Sequence, residues 1–350
     1  MAETPSLDNR KIKILEAIVH DYVSTTKPIA SDRLLEVCQL GCKAATIRNE
    51  MAEMAEMGYL VQPHTSSGRI PTDRGYRYYV DRLMQSEDIL TKDETSRVRQ
   101  QYVEAQSEIE DIMLQTCRLL SEMTSFTSIA TDPDPETTTI RRVYLTEASS
   151  RHTLLVILLS TGQVEHRLVE LESSPGDVTL VQLSNFLNFV YSGREIESAG
   201  QIEKLEIPLE LRQLSPSINR LTAVVRQTAI SFGGRRIYLE GASQLLKQPE
   251  FQHIQRLENL LSVLEERKAL FQTLNRSFLN GRITILIGTE NSIEGMQDCT
   301  LISSIYKIGN RKAGYLGVIG PTRMNYDRTV ATVGLMAHSL STLLTQLSLT

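Results

Sequence analysis

Between Pro63 and Asp81 the chain reads Pro63-His64-Thr65-Ser66-Ser67-Gly68-Arg69-Ile70-Pro71-Thr72-Asp73-Arg74-Gly75-Tyr76-Arg77-Tyr78-Tyr79-Val80-Asp81. Three hydroxyls, at Thr65, Ser66 and Ser67, stand next to the guanidinium of Arg69, and two further basic groups follow at Arg74 and Arg77. The chemistry open to such a set is recognition of anions. Hydroxyls bond phosphate oxygens and position a protein without reading sequence, while an arginine at a tip enters a minor groove or meets phosphates. His64, inside the same run, suits a backbone or phosphate contact better than a metal. The composition is that of a tight hairpin with a basic tip, followed at once by a helix that Thr72 and Asp73 cap.

A second set of candidate contacts precedes the hairpin. A helix is expected from about Lys43 to Met57, ended by Gly58. Ile47, Met51, Met54 and Gly58 follow helical spacing and should face a core. The opposite face then carries Ala45, Asn49 and Ala52, flanked by Thr46, Arg48 and Glu53. Small residues let a helix backbone sink into a major groove. Alanine or a threonine methyl packs on a thymine methyl, and Arg48 and Asn49 suit guanine and adenine edges.

Two shorter elements must hold that helix. Asp8 is expected to cap a helix running to about Val23, with Ile12, Leu15, Ile18, Val19 and Tyr22 on one face. Thr25-Thr26-Lys27-Pro28 breaks it, and Ser31 caps a second helix, with Leu34, Leu35 and Val37 inward, that ends at Gly41. Tyr59-Leu60-Val61 reads as the outgoing hairpin strand and Arg69-Ile70 as the start of the return. Tyr76, Tyr79, Val80 and Leu83 on the next helix look like packing. Helix, helix-turn-helix and basic hairpin, in that order, make a winged-helix DNA-binding domain over residues 1–86.

Charge agrees once it is read locally. The net charge is −5, yet residues 1–84 hold 11 basic and 11 acidic side chains and the remainder holds 26 and 31. Residues 60–82 carry Arg69, Arg74, Arg77 and Arg82 against Asp73 and Asp81. A DNA reader needs a basic contact surface, not a basic chain. So modest a local charge predicts moderate affinity per head and hence a dimer.

These motifs resemble the HrcA family of heat-inducible transcription repressors. The residues that carry the likeness are Thr46-Ile47-Arg48-Asn49-Glu50-Met51, Gly58-Tyr59-Leu60 and the run from Pro63 to Arg77. It continues more weakly at Tyr238-Leu239-Glu240-Gly241-Ala242-Ser243, Pro249-Glu250-Phe251 and Gly317-Val318-Ile319-Gly320-Pro321. Two positions depart from the family pattern. Lys43 stands where a serine commonly opens the recognition helix, although a lysine there still reaches phosphate, and Met54-Ala55 replaces Leu-Glu.

Beyond the head, 87–124 is charged and helical and is expected to be a helical linker, with an amphipathic stripe at Ile109, Ile112, Met113, Leu119, Leu120 and Met123 that core packing or a dimer contact would equally produce. Asp132-Pro133-Asp134-Pro135 is a break. Strands are expected at Ile140–Leu145, Thr153–Leu159 and Glu165–Leu171, then a helix at Asp177–Tyr191. Residues 194–275 read as helix with one strand at Arg236–Leu239. Strands resume at Ile283–Ile287, Leu301–Ile308 and Gly314–Ile319 before a last helix at Thr329–Leu347. The pattern is an α+β multidomain chain with one α/β domain interrupted by an insertion. The resemblance implies that this is a GAF-like domain, over 125–193 and 276–350, holding a mostly helical inserted dimerisation domain over 194–275.

Other function classes find little support. G-x-G-x-x-G, P-loop, G-x-S-x-G and H-E-x-x-H motifs are absent, so no enzyme and no cofactor is expected. Cys38 and Cys42 lack partners at zinc-ligand spacing, and four cysteines in 350 residues make no disulfide framework. Neither a signal peptide nor an apolar run long enough to span a bilayer is read, so a cytoplasmic protein is expected. The resemblance implies a homodimer on double-stranded DNA, at an inverted-repeat operator upstream of chaperone genes, kept active by the GroEL chaperonin. A small-molecule-sensing regulator acting through the GAF-like domain is the alternative.

Overall fold

Asp8 opens the first helix, α1 (Asn9–Thr25), as expected: its carboxylate accepts the amides of Arg10 and Lys11 at 2.9 and 2.8 Å. The computed structural model describes residues 7–37, 43–64, 67–84, 89–103, 109–134, 138–171, 176–202, 205–232, 236–266, 270–271, 273–274 and 283–349. The expected roles of Cys38, Gly41, Cys42, Thr65 and Ser66 lie outside the described residues.

Helix α1 buries Ile14, Leu15, Ile18 and Val19 against α2 (Ser31–Val37) and α3 (Ala44–Glu56). Helix α3 presents Ile47, Met51 and Met54 to the same core, the stripe that its spacing predicts. Gly58 stops it with φ +80°, a left-handed turn that costs glycine little. A two-stranded ribbon follows, β1 (Leu60–Val61) against β2 (Ile70–Pro71). Its base is widened by a bridge between Arg69 and Ile29. Thr72 then caps α4 (Asp73–Arg82), its hydroxyl accepting the Gly75 amide at 3.1 Å and donating to Gly58 O at 2.6 Å. Tyr76 and Tyr79 on α4 are buried, which is the packing role expected of them.

The rest contains two sheets. After α5 (Lys92–Val103) come α6 (Ile109–Thr124) and β3 (Thr127–Thr131). Strand β3 joins a five-stranded antiparallel sheet with β7 (Ile237–Glu240), β8 (Ile283–Ile287), β9 (Cys299–Ile308) and β10 (Arg311–Pro321), in the order β7-β3-β10-β9-β8. Alternation along β9 and β10 feeds two cores. Ile302, Tyr306, Leu316 and Val318 face one with α6 and the last helix, α11 (Tyr326–Leu349). Leu301, Tyr315 and Ile319 face the other with α10 (Ile254–Glu265) and the turns around Leu245 and Phe251.

The second sheet is a meander of β4 (Ile140–Ser149), β5 (His152–Leu159) and β6 (Val164–Glu170). It shares a third core with α7 (Asp177–Tyr191), α8 (Ile196–Gly200) and α9 (Ser215–Phe232).

Four expectations need correction. Core membership puts the interruption at about 138–232 rather than 194–275, because β4 to β6 and α7 pack with α8 and α9 and not with the five-stranded sheet. Helix α6 is no free linker: its stripe serves core packing, one of the two uses expected of it, with Ile109, Ile112, Met113, Leu119 and Leu120 buried against that sheet and α11. Strand β3, all of it buried, was not expected as a strand. Finally, α11 is long and apolar enough by composition to cross a membrane over Tyr326–Ser348. Its apolar face is used internally, with Val333, Met336, Leu340 and Leu344 buried.

Candidate nucleic-acid interface

The outer face of α3 is the one its sequence predicts. Lys43, Ala45, Arg48 and Asn49 are exposed and Thr46 is half-buried. Lys43 is the N-cap residue, but its ammonium, a donor only, cannot accept the helix amides as a serine would, and it makes no capping bond. The side chains of Arg48, Asn49 and Arg69 make no hydrogen bond or ion pair with another of the described residues. Two guanidinium groups and an amide are therefore left with donors to spare, those of Arg48 and Asn49 on the exposed face.

Two of the three acids of the same helix, Glu50 and Glu53, are drawn away. Glu50 pairs with Arg10 at 3.2 Å and with Lys11 at 2.7 Å, and Glu53 pairs with Lys11 at 2.9 Å. Glu50, Glu53 and Asp8 together raise the Lys11 pKa above its ordinary value, the Glu50 hydrogen bond contributing most. Helix α1 thus neutralises carboxylates that would repel phosphate. This bracing was not anticipated, since Arg10 and Glu50 are 40 positions apart and nothing local in either segment marks the pairing.

The ribbon tip is organised by Ser67. Its hydroxyl donates to His64 O at 2.7 Å and accepts the His64 amide at 3.0 Å, while its own amide bonds His64 O at 2.9 Å. Ser67 closes the turn with its hydroxyl, and the exposed His64 ring is carried by that turn. Ile29 and Arg69 exchange both backbone hydrogen bonds at 2.9 Å. Their approach requires glycine next door, because a Cβ on Gly68 would lie 2.3 Å from the Ile29 carbonyl carbon and oxygen.

Arg74 and Arg77, expected as supporting basic residues for DNA, are used elsewhere. The Arg74 guanidinium donates to Met57 O at 2.8 Å and sits 4.7 Å above the Tyr59 ring. Arg77 donates to Glu290 Oε1 at 2.7 Å, to Ile285 O at 2.6 Å and to Asp81 at 3.2 Å. Glu290 lies 213 positions along the chain, so this capture could not be read locally. Cys117 and Cys299 are free and buried, and burial pushes both thiols up to about 12. They are core residues. No cluster of three or more His, Cys, Asp or Glu placed to hold a metal occurs among the described residues.

Comparison with known proteins decides the family. Residues 110–330 match the model of the HrcA protein C-terminal domain. Heat-inducible transcription repressor HrcA of Moorella thermoacetica is 39% identical over 342 residues, covering 97% of this chain and 99% of that one. That of Carboxydothermus hydrogenoformans is 37% identical over 338 residues, covering 96% and 97%. The chain belongs to the HrcA family. Membership makes it a heat-shock transcription repressor rather than an enzyme. The crystal structure of a hypothetical protein at 2.2 Å resolution, 24% identical, aligns over 98% of this HrcA chain and 100% of its own with a TM-score of 0.67, so the whole fold has a solved counterpart.

Proposed function

We propose that this repressor binds an inverted-repeat operator as a homodimer, with residues 7–84 acting as a winged-helix head. Helix α3 enters the major groove, where Arg48 and Asn49 read base edges and Ala45 and Thr46 allow close approach. Lys43, His64 and the hydroxyls of Thr65 and Ser66 meet the backbone, Ser67 serving to close the turn that carries them, and Arg69 reaches the adjacent minor groove. One observation carries the reading: Arg48, Asn49 and Arg69 have no side-chain partner among the described residues, while Glu50 and Glu53 beside them are paired to α1.

The homodimer is supported by 138–232. One face of the β4–β5–β6 sheet packs on α7. On the other, Tyr144, Val164 and Leu168 are exposed and Leu154, Val156 and Leu158 half-buried. An apolar face of this kind suits a two-fold contact. The five-stranded sheet with helices on both faces suits a GAF-like body. Cytoplasmic location follows from the DNA target. Maintenance by GroEL rests on the family resemblance and requires only a folded fraction that depends on chaperone supply.

The test is a salt titration against an inverted-repeat duplex and a scrambled duplex of equal length, with and without chaperonin. Tight, palindrome-selective binding that weakens steeply with salt and improves with chaperonin is expected. Arg48→Ala and Arg69→Ala should each cost about 1–3 kcal/mol of operator binding with folding intact. Survival of binding through both changes overturns the site assignment.

A further inference from the structure

The head is fastened to the five-stranded body at three separate places, and these contacts do not pass through the 83–91 connection. At the start of α4, the Asp73 carboxylate accepts the backbone amide and the hydroxyl of Thr289 at 2.9 and 3.0 Å. The neighbouring Gly288 has φ +52°, and a Cβ there would lie 2.1 Å from Asp73 Oδ2, so the turn is shaped to receive that carboxylate. One turn further on, Arg77 holds Glu290 with two of its nitrogens and donates to Ile285 O. Glu290 also accepts the Ile287 amide at 2.8 Å, which ties the ion pair to the end of β8.

At the second place, Tyr79 donates to Asp327 at 2.5 Å, and the Tyr76 ring lies 5.6 Å from that of Tyr326, both at the start of α11. At the third, Arg323 donates to Val23 O near the end of α1 at 2.9 Å while pairing with Glu250 at 2.6 Å. Apolar side chains from α1, α3 and α4 join those of α6 and α11 in one continuous core. Three attachments on two different helices of the head leave it no axis about which to turn. Only Thr72 separates β2 from α4, and its hydroxyl ties α4 to Gly58 O in the turn that ends α3, so α3 must follow wherever α4 is held.

We propose that the joint of Asp73 and Arg77 with the 285–290 turn is a specificity-determining element: it fixes the aim of α3 relative to the body and so restricts the operator to one spacing between half-sites. The inference rests on the dimeric, inverted-repeat reading above. Its physical basis is that one extra base pair rotates the second half-site by about 35° and moves it by about 3.4 Å, since a turn holds 10–10.5 base pairs over 34–36 Å. A rigid pair of heads cannot follow that rotation, whereas heads left with only the second and third attachments can turn about the line that joins those two.

The experiment measures binding of the full chain to a series of inverted repeats with the natural spacer lengthened and shortened by one to three base pairs, together with a duplex holding one half-site. Glu290→Ala combined with Thr289→Val loosens the joint from the body side and touches no residue of the DNA face. Wild type should show a peaked profile, losing about tenfold or more at one base pair from the optimum, a scale of roughly 1.4 kcal/mol. The double variant should bind the single half-site as wild type does and show a profile flat to within about threefold (roughly 0.7 kcal/mol). Glu290→Gln, which keeps a hydrogen-bond partner for Arg77, should fall between them and serves if the double variant melts early. A peaked profile retained by all variants overturns the joint alone. A wild-type chain that prefers no inverted repeat at any spacing removes the dimeric reading, and the proposal with it.

Discussion

Gly68→Ala offers a demanding test of how the ribbon is held. An added Cβ would sit 2.3 Å from the Ile29 carbonyl carbon and oxygen and 2.7 Å from its nitrogen. Non-bonded carbons settle near 3.5–4.0 Å, so the backbone at 68 must retreat by about 1 Å. All three clashing atoms are backbone, and Ile29 is 2% exposed, so neither strand has a soft side chain to yield. The retreat breaks the reciprocal Ile29–Arg69 hydrogen bonds. At about 1 kcal/mol each, their loss destabilises the closed ribbon by roughly 2 kcal/mol, close to a thirtyfold shift toward the open form. Helix α3 makes none of these bonds and should keep its place. Hydrogen exchange of the Ile29 and Arg69 amides should therefore speed up about thirtyfold. Operator affinity should fall by one order of magnitude or more through loss of Arg69, with base preference in the major groove unchanged. Amides as protected as in wild type, with affinity within threefold, would refute the reasoning.

Lys11→Met should weaken operator binding several-fold by freeing Glu50 and Glu53 beside the phosphates, and adding Glu50→Gln and Glu53→Gln should restore it; a loss that the neutral pair cannot rescue would make Lys11 merely structural. Leu168→Glu, at a side chain 64% exposed, should leave the melting curve of 138–232 intact and convert dimer to monomer in sedimentation, whereas an unchanged dimer would place the two-fold contact elsewhere. Burial pushes the Asp132 carboxyl from 3.8 up to about 6, against the opposing hydrogen bond that Tyr238 donates at 2.6 Å. A group raised on folding binds its proton more tightly in the folded chain, so its contribution is full below about pH 4 and is lost as pH rises to about 6. Asp132→Asn should abolish that decline and raise the melting temperature at pH 7; a pH 4–6 slope identical to wild type would show that Asp132 does not titrate there.

The head was legible because its signals are short-range. Asp8, Thr72 and Gly58 cap or stop helices with groups one to three residues away, and the spacing of Ile47, Met51 and Met54 alone points to a buried stripe. Strand β3 carried no such signal. Thr127-Ser128-Ile129-Ala130-Thr131 neither alternates nor forms an apolar run. It is a strand because β7 and β10 pair with its two edges and its buried hydroxyls find distant carbonyls, as Ser128 does on Cys117 O at 2.6 Å.

What the residues determined by themselves was local: which helices form, which faces are apolar, where the ribbon turns, and which donors stand on the face opposite the core. Tertiary structure decided the allegiances. It chose which core the strands of 140–170 would join, turned Arg74 and Arg77 inward to Met57 and Glu290, paired Glu50 and Glu53 of α3 with α1, and fastened the head to the 285–290 turn. The reason is physical. Capping and periodicity act within one or two turns of chain, whereas an arginine is claimed by whichever carboxylate the fold brings within about 4 Å, and in this chain that carboxylate lies 213 residues away.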